Sequence, residues 1–196
     1  MSFSFDPAKH HRRSIRLKGF DYGQAGAYFV TICTNRKQHL LGEIINGEAK
    51  LNQIGEMVKK WWLILPRKFQ NIKIDEYAIM PNHFHGIIII VGANQCVCPN
   101  VIDDVRIGGG HIAFEGGHIG PPLHRMIQWF KTMTTNEYIR GIKTYSWPCF
   151  YGKFWQRNYY ERVIRNDTEL NKIREYIITN PQKWDTDSEN PDVLAL

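Results

Sequence analysis

Two histidines spaced two residues apart, His83 and His85, are the residues of this chain with the clearest potential for chemistry. They open the run from His83 to Val91, whose isoleucines predict a strand buried on both faces. Side chains at positions i and i+2 of a strand point to the same face and lie roughly 6.5 Å apart. Both imidazoles can therefore converge on one metal ion at the rim of a sheet. A structural pair held by hydrogen bonds is the alternative interpretation.

A second pattern lies between Tyr145 and Arg165, where aromatic and basic residues are dense. The run FWQRNYYER at its centre suits stacking on unpaired bases together with pairing to phosphates. A strand whose rings belong to the core explains the same residues equally well. The candidate DNA contacts in this block are Trp155, Gln156, Arg157, Tyr159 and Arg162.

The excess of positive charge favours an acidic partner. The chain has 196 residues and a net charge of +6, which indicates nucleic acid first and an anionic membrane second. The segment KHHRRSIRLK, from Lys9 to Lys18, carries no acidic residue and is either a basic arm lying along phosphates or a frayed, solvated terminus. The candidate phosphate contacts are Arg12, Arg13, Arg16, Lys18, Arg36 and Lys37.

Several classes of protein are disfavoured. No apolar run approaches the ~20 residues that span a bilayer, and the N-terminus lacks the apolar core of a secretory signal. We therefore expect a cytoplasmic, nucleoid-associated protein. The single residue between Cys96 and Cys98 does not match the spacing of structural zinc sites.

The pattern of strands and helices predicts a single domain of mixed type. Asn46-Gly47 indicates a hairpin between Leu40 and Leu51, and Asn52 is expected to cap a helix that ends at Pro66. We divide the chain into a basic arm (1–20), a single domain (21–184) with a flexible Gly-rich insertion at about 92–122, and a loose acidic tail (185–196).

Three blocks of the sequence resemble the REP-associated tyrosine transposases, which belong to the single-tyrosine branch of the HUH (His-hydrophobic-His) nucleases. The blocks are MPNHFHG, WQRNYYERVIRN and REYIITNPQKW, and with RRSIRLKGFDYGQAGAYFVTICTNR the resemblance spans roughly residues 12 to 184. The resemblance implies an α+β, ferredoxin-like fold in which helices pack on an antiparallel sheet.

The resemblance also implies a chemistry. His83 and His85 match the metal-binding pair, and Tyr176 matches the nucleophile on the last helix. Asn180, one turn later, matches the polar residue that completes the metal site, where related transposases often have glutamine. The implied activity is cleavage and rejoining of single-stranded, hairpin-containing DNA through a 5′-phosphotyrosine, with Mg²⁺ or Mn²⁺ as the cofactor and either a monomer or a homodimer as the active species.

Two other functions fit parts of the same sequence pattern. A histidine-triad-like nucleotide hydrolase needs a third alternate histidine, and position 87 is Ile87. A domesticated, non-catalytic nucleic-acid-binding protein of the same fold would keep the basic surface without cleaving DNA. The presence of His83, His85 and Tyr176 together favours the enzyme.

Overall fold

The computed structural model describes residues 23–91 and 122–191. The basic arm with Arg12, Arg13, Arg16 and Lys18, the Gly-rich insertion up to residue 121 and the end of the acidic tail lie outside the described residues.

The described residues form six strands and three helices. The strands are β1 Gly26–Cys33, β2 Gly42–Ile45, β3 Glu48–Leu51, β4 Ile72–Ile79, β5 His83–Ile90 and β6 Tyr160–Ile164. The helices are α1 Gln53–Lys68, α2 Leu123–Tyr145 and α3 Asp167–Thr179, followed by a short 3-10 helix, Pro181–Thr186. None of these helices is both long and apolar enough to cross a membrane.

The main sheet has the strand order β4-β5-β1-β6, and every neighbouring pair is antiparallel. Along the chain, α1 lies between the first and second of these four strands, and α2 lies between the third and fourth. This is the βαββαβ arrangement of the ferredoxin-like fold. The α+β class expected from the resemblance is confirmed.

The hairpin β2-β3 and the start of α1 follow the local sequence. Asn46 and Gly47 have φ angles of 53° and 75°, as the tight turn of a two-residue hairpin requires. The Asn52 side chain accepts hydrogen bonds from two backbone amides in the first turn of α1. The prediction that Pro66 ends this helix is wrong, because one further turn forms and the amide of Phe69 bonds to the carbonyl of Leu65. Proline removes one hydrogen bond there, and this position is already close to the helix end.

Helices cover both faces of the main sheet, as the apolar run of β5 predicts. On one face α1 and α2 pack around Trp62, Phe84 and Phe130, whose ring centroids lie 4.5–5.7 Å apart. On the other face α3 covers a smaller core that includes Phe29 and Ile87. Because side chains alternate along β5, His83 and His85 share the α3 face with Ile87.

Four chain segments meet at one end of the sheet, where β1 ends and β5 begins. Cys33, at the end of β1, pairs with His83 at the start of β5. Tyr160, at the start of β6, pairs with Thr31 near the end of β1. Helix α3 runs antiparallel to β6 and also ends at this end of the sheet. The candidate site lies there.

Candidate active site

The two histidine rings converge at the start of β5, as their spacing predicts. Nε2 of His83 and Nε2 of His85 are 2.9 Å apart, and both side chains are buried. The rings meet edge to face, with centroids 4.5 Å apart. The two nitrogens are therefore close enough to bind one cation when both Nε2 atoms are deprotonated.

Hydrogen bonds to the outer ring nitrogens favour that protonation state. The Asn82 side-chain amide donates to two backbone carbonyls, so its Oδ1 is left to accept from Nδ1 of His83, at 2.8 Å. The proton of His83 is then on Nδ1. Nδ1 of His85 lies 2.8 Å from the Thr31 hydroxyl, which can accept in the same way. Partners of this kind fix the tautomer and orientation of metal-binding imidazoles.

Burial keeps both imidazoles neutral. Desolvation lowers the pKa of His83 to about 4, although the negative charges of Asp187 and Glu189 oppose the shift. Desolvation, followed by the proximity of His83, lowers the pKa of His85 well below its usual value. At neutral pH both rings therefore have a lone pair available for a cation.

A carboxylate that no sequence motif indicates, that of Asp187, completes the cluster. Ligand atoms of His83, His85 and Asp187 all lie within 4.8 Å of one another, and all three residues are buried. Asp187 is fixed by hydrogen bonds from the Asn180 side chain, at 2.8 Å, and from the backbone amide of Glu189, at 2.7 Å. Together these three residues could hold a metal ion.

The segment that carries Asp187 corrects the expectation of a loose tail from Asp185. The 3-10 helix Pro181–Thr186 turns the chain back toward the sheet, and Trp184 lies against the ring of His83 with centroids 6.0 Å apart. Asp187 and Asn190 are 8% and 3% exposed. This part of the predicted tail is packed against the site because it buries polar groups that hydrogen-bond to the domain.

Asn180, the predicted third ligand, is buried just after α3. Its Oδ1 is close enough to His83 to oppose the lowering of that ring's pKa, yet it makes no hydrogen bond of acceptable geometry with any described residue. A buried amide oxygen without a donor is costly, and a cation would relieve that cost.

The donor set fits a divalent cation. Two ligand atoms at about 2.1 Å from an octahedral ion, at right angles to each other, lie about 3.0 Å apart, and the two Nε2 atoms are 2.9 Å apart. Imidazole, carboxylate and amide oxygen are mixed nitrogen and oxygen donors of the kind found around Mn²⁺ and Mg²⁺.

Tyr176 lies at the outer edge of this cluster. Its hydroxyl oxygen is 3.4 Å from Nε2 of His85, and its ring packs edge-on against His85 and Phe29. The residue is 42% exposed, so a substrate can reach it from solvent. Desolvation of the hydroxyl, together with the charges of Asp187 and Glu189, raises the pKa of Tyr176 to about 12.

Helix α3 is held in register by contacts that do not involve the histidines. Asn166 caps its first turn by accepting from the backbone amide of Glu169 at 2.8 Å. Arg174 donates two hydrogen bonds to the Asp75 carboxylate on β4, at 2.8 and 2.6 Å. Because Arg174 is two residues before Tyr176, this pair helps to fix the position of the hydroxyl.

Two of the predicted phosphate contacts, Arg36 and Lys37, lie at the same end of the sheet, just after β1. Lys37 forms an ion pair with Glu189 at 3.3 Å and donates to the backbone carbonyl of Ser188 at 3.0 Å. Arg36 is exposed, and its guanidinium lies 4.9 Å from the centre of the Tyr151 ring. The structure therefore brings these two cations beside the candidate site.

The aromatic block divides between core and surface. Trp155 is 4% exposed and its indole N–H donates to the Thr134 hydroxyl at 2.8 Å. Its assignment as a DNA contact is therefore corrected: the core interpretation holds for this ring and for Phe154. Tyr151, in the same block, is 71% exposed. Tertiary packing rather than residue type determines which of these rings are buried.

The other predicted contacts of this block are more accessible. Arg157 and Arg162 are exposed, and Arg162 pairs with Glu169 at 2.6 Å. Gln156 and Tyr159 are half-buried, and the Lys131 ammonium lies 5.5 Å from the Tyr159 ring centre.

Comparison with known proteins gives a sequence relative and a solved structure of the same fold. No protein-family model matches the chain. A protein of uncharacterized function from Haemophilus influenzae is 35% identical over 189 residues, which cover 95% of this chain and 97% of the relative. A solved REP-associated tyrosine transposase, bound to a REP hairpin, superposes with a TM-score of 0.53 and 18% identity, covering 88% of this chain and 74% of that chain. The chain therefore belongs to one family with the Haemophilus influenzae protein, and its fold is that of the REP-associated tyrosine transposases.

Proposed function

We propose that the protein is a metal-dependent endonuclease and strand transferase that acts on single-stranded DNA beside hairpins. The observation that carries this proposal is the position of the Tyr176 hydroxyl, 3.4 Å from one of two imidazole nitrogens that are themselves 2.9 Å apart. A nucleophile and a cation-binding donor set at one point suit phosphoryl transfer. The hairpin-bound transposase with the same fold supports DNA as the substrate.

The proposed reaction is a transesterification. The Tyr176 oxygen attacks the scissile phosphorus, a tyrosine–phosphorus bond forms, and the bond from phosphorus to the 3′ oxygen breaks. The phenolic proton passes to solvent, and the 3′ oxygen takes up a proton. The products are a 5′-phosphotyrosine and a free 3′-hydroxyl, so rejoining is the reverse reaction and requires no ATP.

The residues of the site have distinct roles in this proposal. His83 and His85, with Asn180 or Asp187, would hold Mg²⁺ or Mn²⁺. Such an ion would polarise the scissile phosphate and stabilise negative charge on it. The protonated phenol of Tyr176 is a weak nucleophile while its pKa is near 12, so it needs a nearby positive charge to react at neutral pH.

The cations near the site would hold the DNA backbone. We assign this role to Arg36, Lys37 and Arg157, and the basic arm would add contacts through Arg12, Arg13, Arg16 and Lys18. Such contacts strengthen binding without reading the base sequence.

The test is a covalent-adduct assay. Labelled hairpin oligonucleotides from the flanks of the gene are incubated with the protein in Mn²⁺ or in EDTA and separated on a denaturing gel. We expect an adduct in Mn²⁺ only, and we expect Tyr176→Phe to abolish it while leaving DNA binding intact. Tyr160→Phe is the matched control, because Tyr160 is similarly exposed and also contacts Phe29, so its adduct should persist.

Two results would contradict the proposal. An adduct that persists in Tyr176→Phe would assign the nucleophile to another tyrosine, with Tyr159 and Tyr160 as the nearest candidates by sequence. Salt-sensitive retention on native gels without any adduct would identify a non-catalytic DNA-binding protein.

A further inference from the structure

We infer that Tyr151 and Arg36 form a stacking platform for an unpaired DNA base beside the candidate active site. The inference rests on the proposed function, because it places part of the substrate strand. It assigns a role to two residues that contact neither the histidine pair nor Tyr176 in any described interaction.

The first observation is the exposure of one ring in a segment whose other rings are packed. Phe150 and Phe154 pack against Tyr138, with ring centroids 4.9 and 4.7 Å apart. Tyr151, between them, is 71% exposed. The Arg36 guanidinium lies over its ring, 4.9 Å from the centre. An aromatic face with an adjacent cation can stack on a base and attract its phosphate.

The second observation is that hydrogen bonds join the backbone next to Arg36 to the backbone around Tyr151. Asn35 donates from its backbone amide to the carbonyl of Phe154 at 2.8 Å, and from its side chain to the carbonyl of Tyr151 at 3.0 Å. Thr34 and Trp155 form a β-bridge beside these contacts. Because these contacts fix the backbone that carries both side chains, less conformational freedom is lost when a base binds.

The third observation is the backbone of the turn after β1. Arg36 and Lys37 have φ angles of 56° and 53°, a left-handed conformation that residues with a Cβ rarely adopt. This turn directs Arg36 toward Tyr151, and it directs Lys37 toward Glu189 at 3.3 Å. Two consecutive cations thereby extend from the platform to the candidate active site.

The platform is close to the reacting groups. Cys33 pairs directly with His83, and Arg36 is three residues further along the chain. Since consecutive Cα atoms are 3.8 Å apart, the Cα atoms of Cys33 and Arg36 are separated by at most about 11 Å. A base stacked on Tyr151 would therefore lie within a few nucleotides of the cleaved phosphate.

The test measures binding in EDTA, so that it does not depend on catalysis. A fluorescein-labelled oligothymidylate of about twenty nucleotides is titrated with the full-length protein, and fluorescence anisotropy is recorded. We expect Tyr151→Ala to weaken binding roughly tenfold and Tyr151→Phe to retain it. Tyr145→Ala is the matched control, because Tyr145 is 67% exposed in a nearby segment and should not affect binding. Arg36→Gln should weaken binding less in the Tyr151→Ala background than in the wild-type protein.

A second measurement locates the contact. Oligothymidylate containing 5-iododeoxyuridine is cross-linked to the protein by ultraviolet light, and the modified peptide is identified by mass spectrometry. We expect the label on Tyr151. Equal weakening by Tyr151→Ala and Tyr145→Ala, unchanged binding in Tyr151→Ala, or a label confined to other residues would overturn the platform. These outcomes are separable from the adduct assay, since a platform can bind DNA without cleavage and cleavage can occur without a platform.

Discussion

The hydroxyl oxygen of Tyr176 lies 3.4 Å from Nε2 of His85, although the two residues are 91 positions apart in the chain. They meet because α3 packs on the sheet face that carries His83 and His85. The fold therefore brings the proposed nucleophile close to the donor atoms of the histidine pair. Four predictions test how the surrounding residues produce this arrangement.

The histidine pair should account for the affinity for a divalent cation. Mn²⁺ at about 100 times its Kd should stabilise the wild-type protein by about 2.7 kcal/mol, which a melting curve records as an increase in Tm that EDTA reverses. His83→Ala and His85→Ala should lose this increase because each removes a ligand. His39→Ala, an exposed histidine, is the control and should keep it. An unchanged Mn²⁺ response in both site variants would show that the pair is structural.

Asp187 should contribute to the same cation site. Asp187→Asn removes the charge but keeps the shape, and we expect it to weaken Mn²⁺ binding by roughly tenfold to hundredfold, as measured by calorimetry. Asp185→Asn is the matched control, because this carboxylate is exposed two residues earlier and should have no effect. If Asn180→Ala weakens binding and Asp187→Asn does not, the amide alone is the third ligand.

The Arg174–Asp75 pair should stabilise the protein in a pH-dependent way. The hydrogen bonds from Arg174 lower the pKa of the Asp75 carboxyl. A lowered pKa in the folded state means that the stabilisation is complete above the unfolded value, about 3.9, and is lost as the pH falls through the folded value. Because Arg174 is more than one-third exposed, we expect Asp75→Asn to cost only about 1 kcal/mol at pH 7.

Denaturant titrations of Asp75→Asn and the wild-type protein at several pH values would measure this difference. The difference should shrink as the pH falls well below 3.9, and Glu76→Gln, at the exposed neighbouring position, should show a smaller one. A difference that is constant with pH would mean that packing rather than charge is responsible.

Gly86 should be required for the packing of the strand that carries both histidines. A Cβ at this position would lie 2.5 Å from Cζ2 of Trp62 and 2.8 Å from the Phe84 ring. We expect Gly86→Ala to lower the free energy of unfolding by about 1–3 kcal/mol, as measured by urea denaturation. In a Trp62→Phe background the cost should be smaller, because the smaller ring leaves room for the methyl group. Equal costs in both backgrounds would place the strain elsewhere.

The local sequence pattern determined which face of β5 carries the histidines, where the hairpin turns and where two helices begin. The alternation of side chains in β5 puts His83 and His85 on one face, and the left-handed preference of Asn46-Gly47 sets the hairpin. The side chains of Asn52 and Asn166 begin α1 and α3 by accepting from backbone amides. These features are predictable because each depends on residues that lie within about one helical turn or two strand positions of each other.

Only the tertiary structure decided which distant groups meet. Residue type does not show that Trp155 is buried while Tyr151 is exposed, since both lie in the same aromatic block. The acidic composition after Asp185 suggests a solvated tail, yet Asp187 is packed against the histidines because Pro181–Thr186 turns the chain back and Asn180 and the Glu189 amide satisfy the buried carboxylate. Such contacts depend on the packing of segments that are far apart along the chain or that reverse direction, and local periodicity carries no information about that packing.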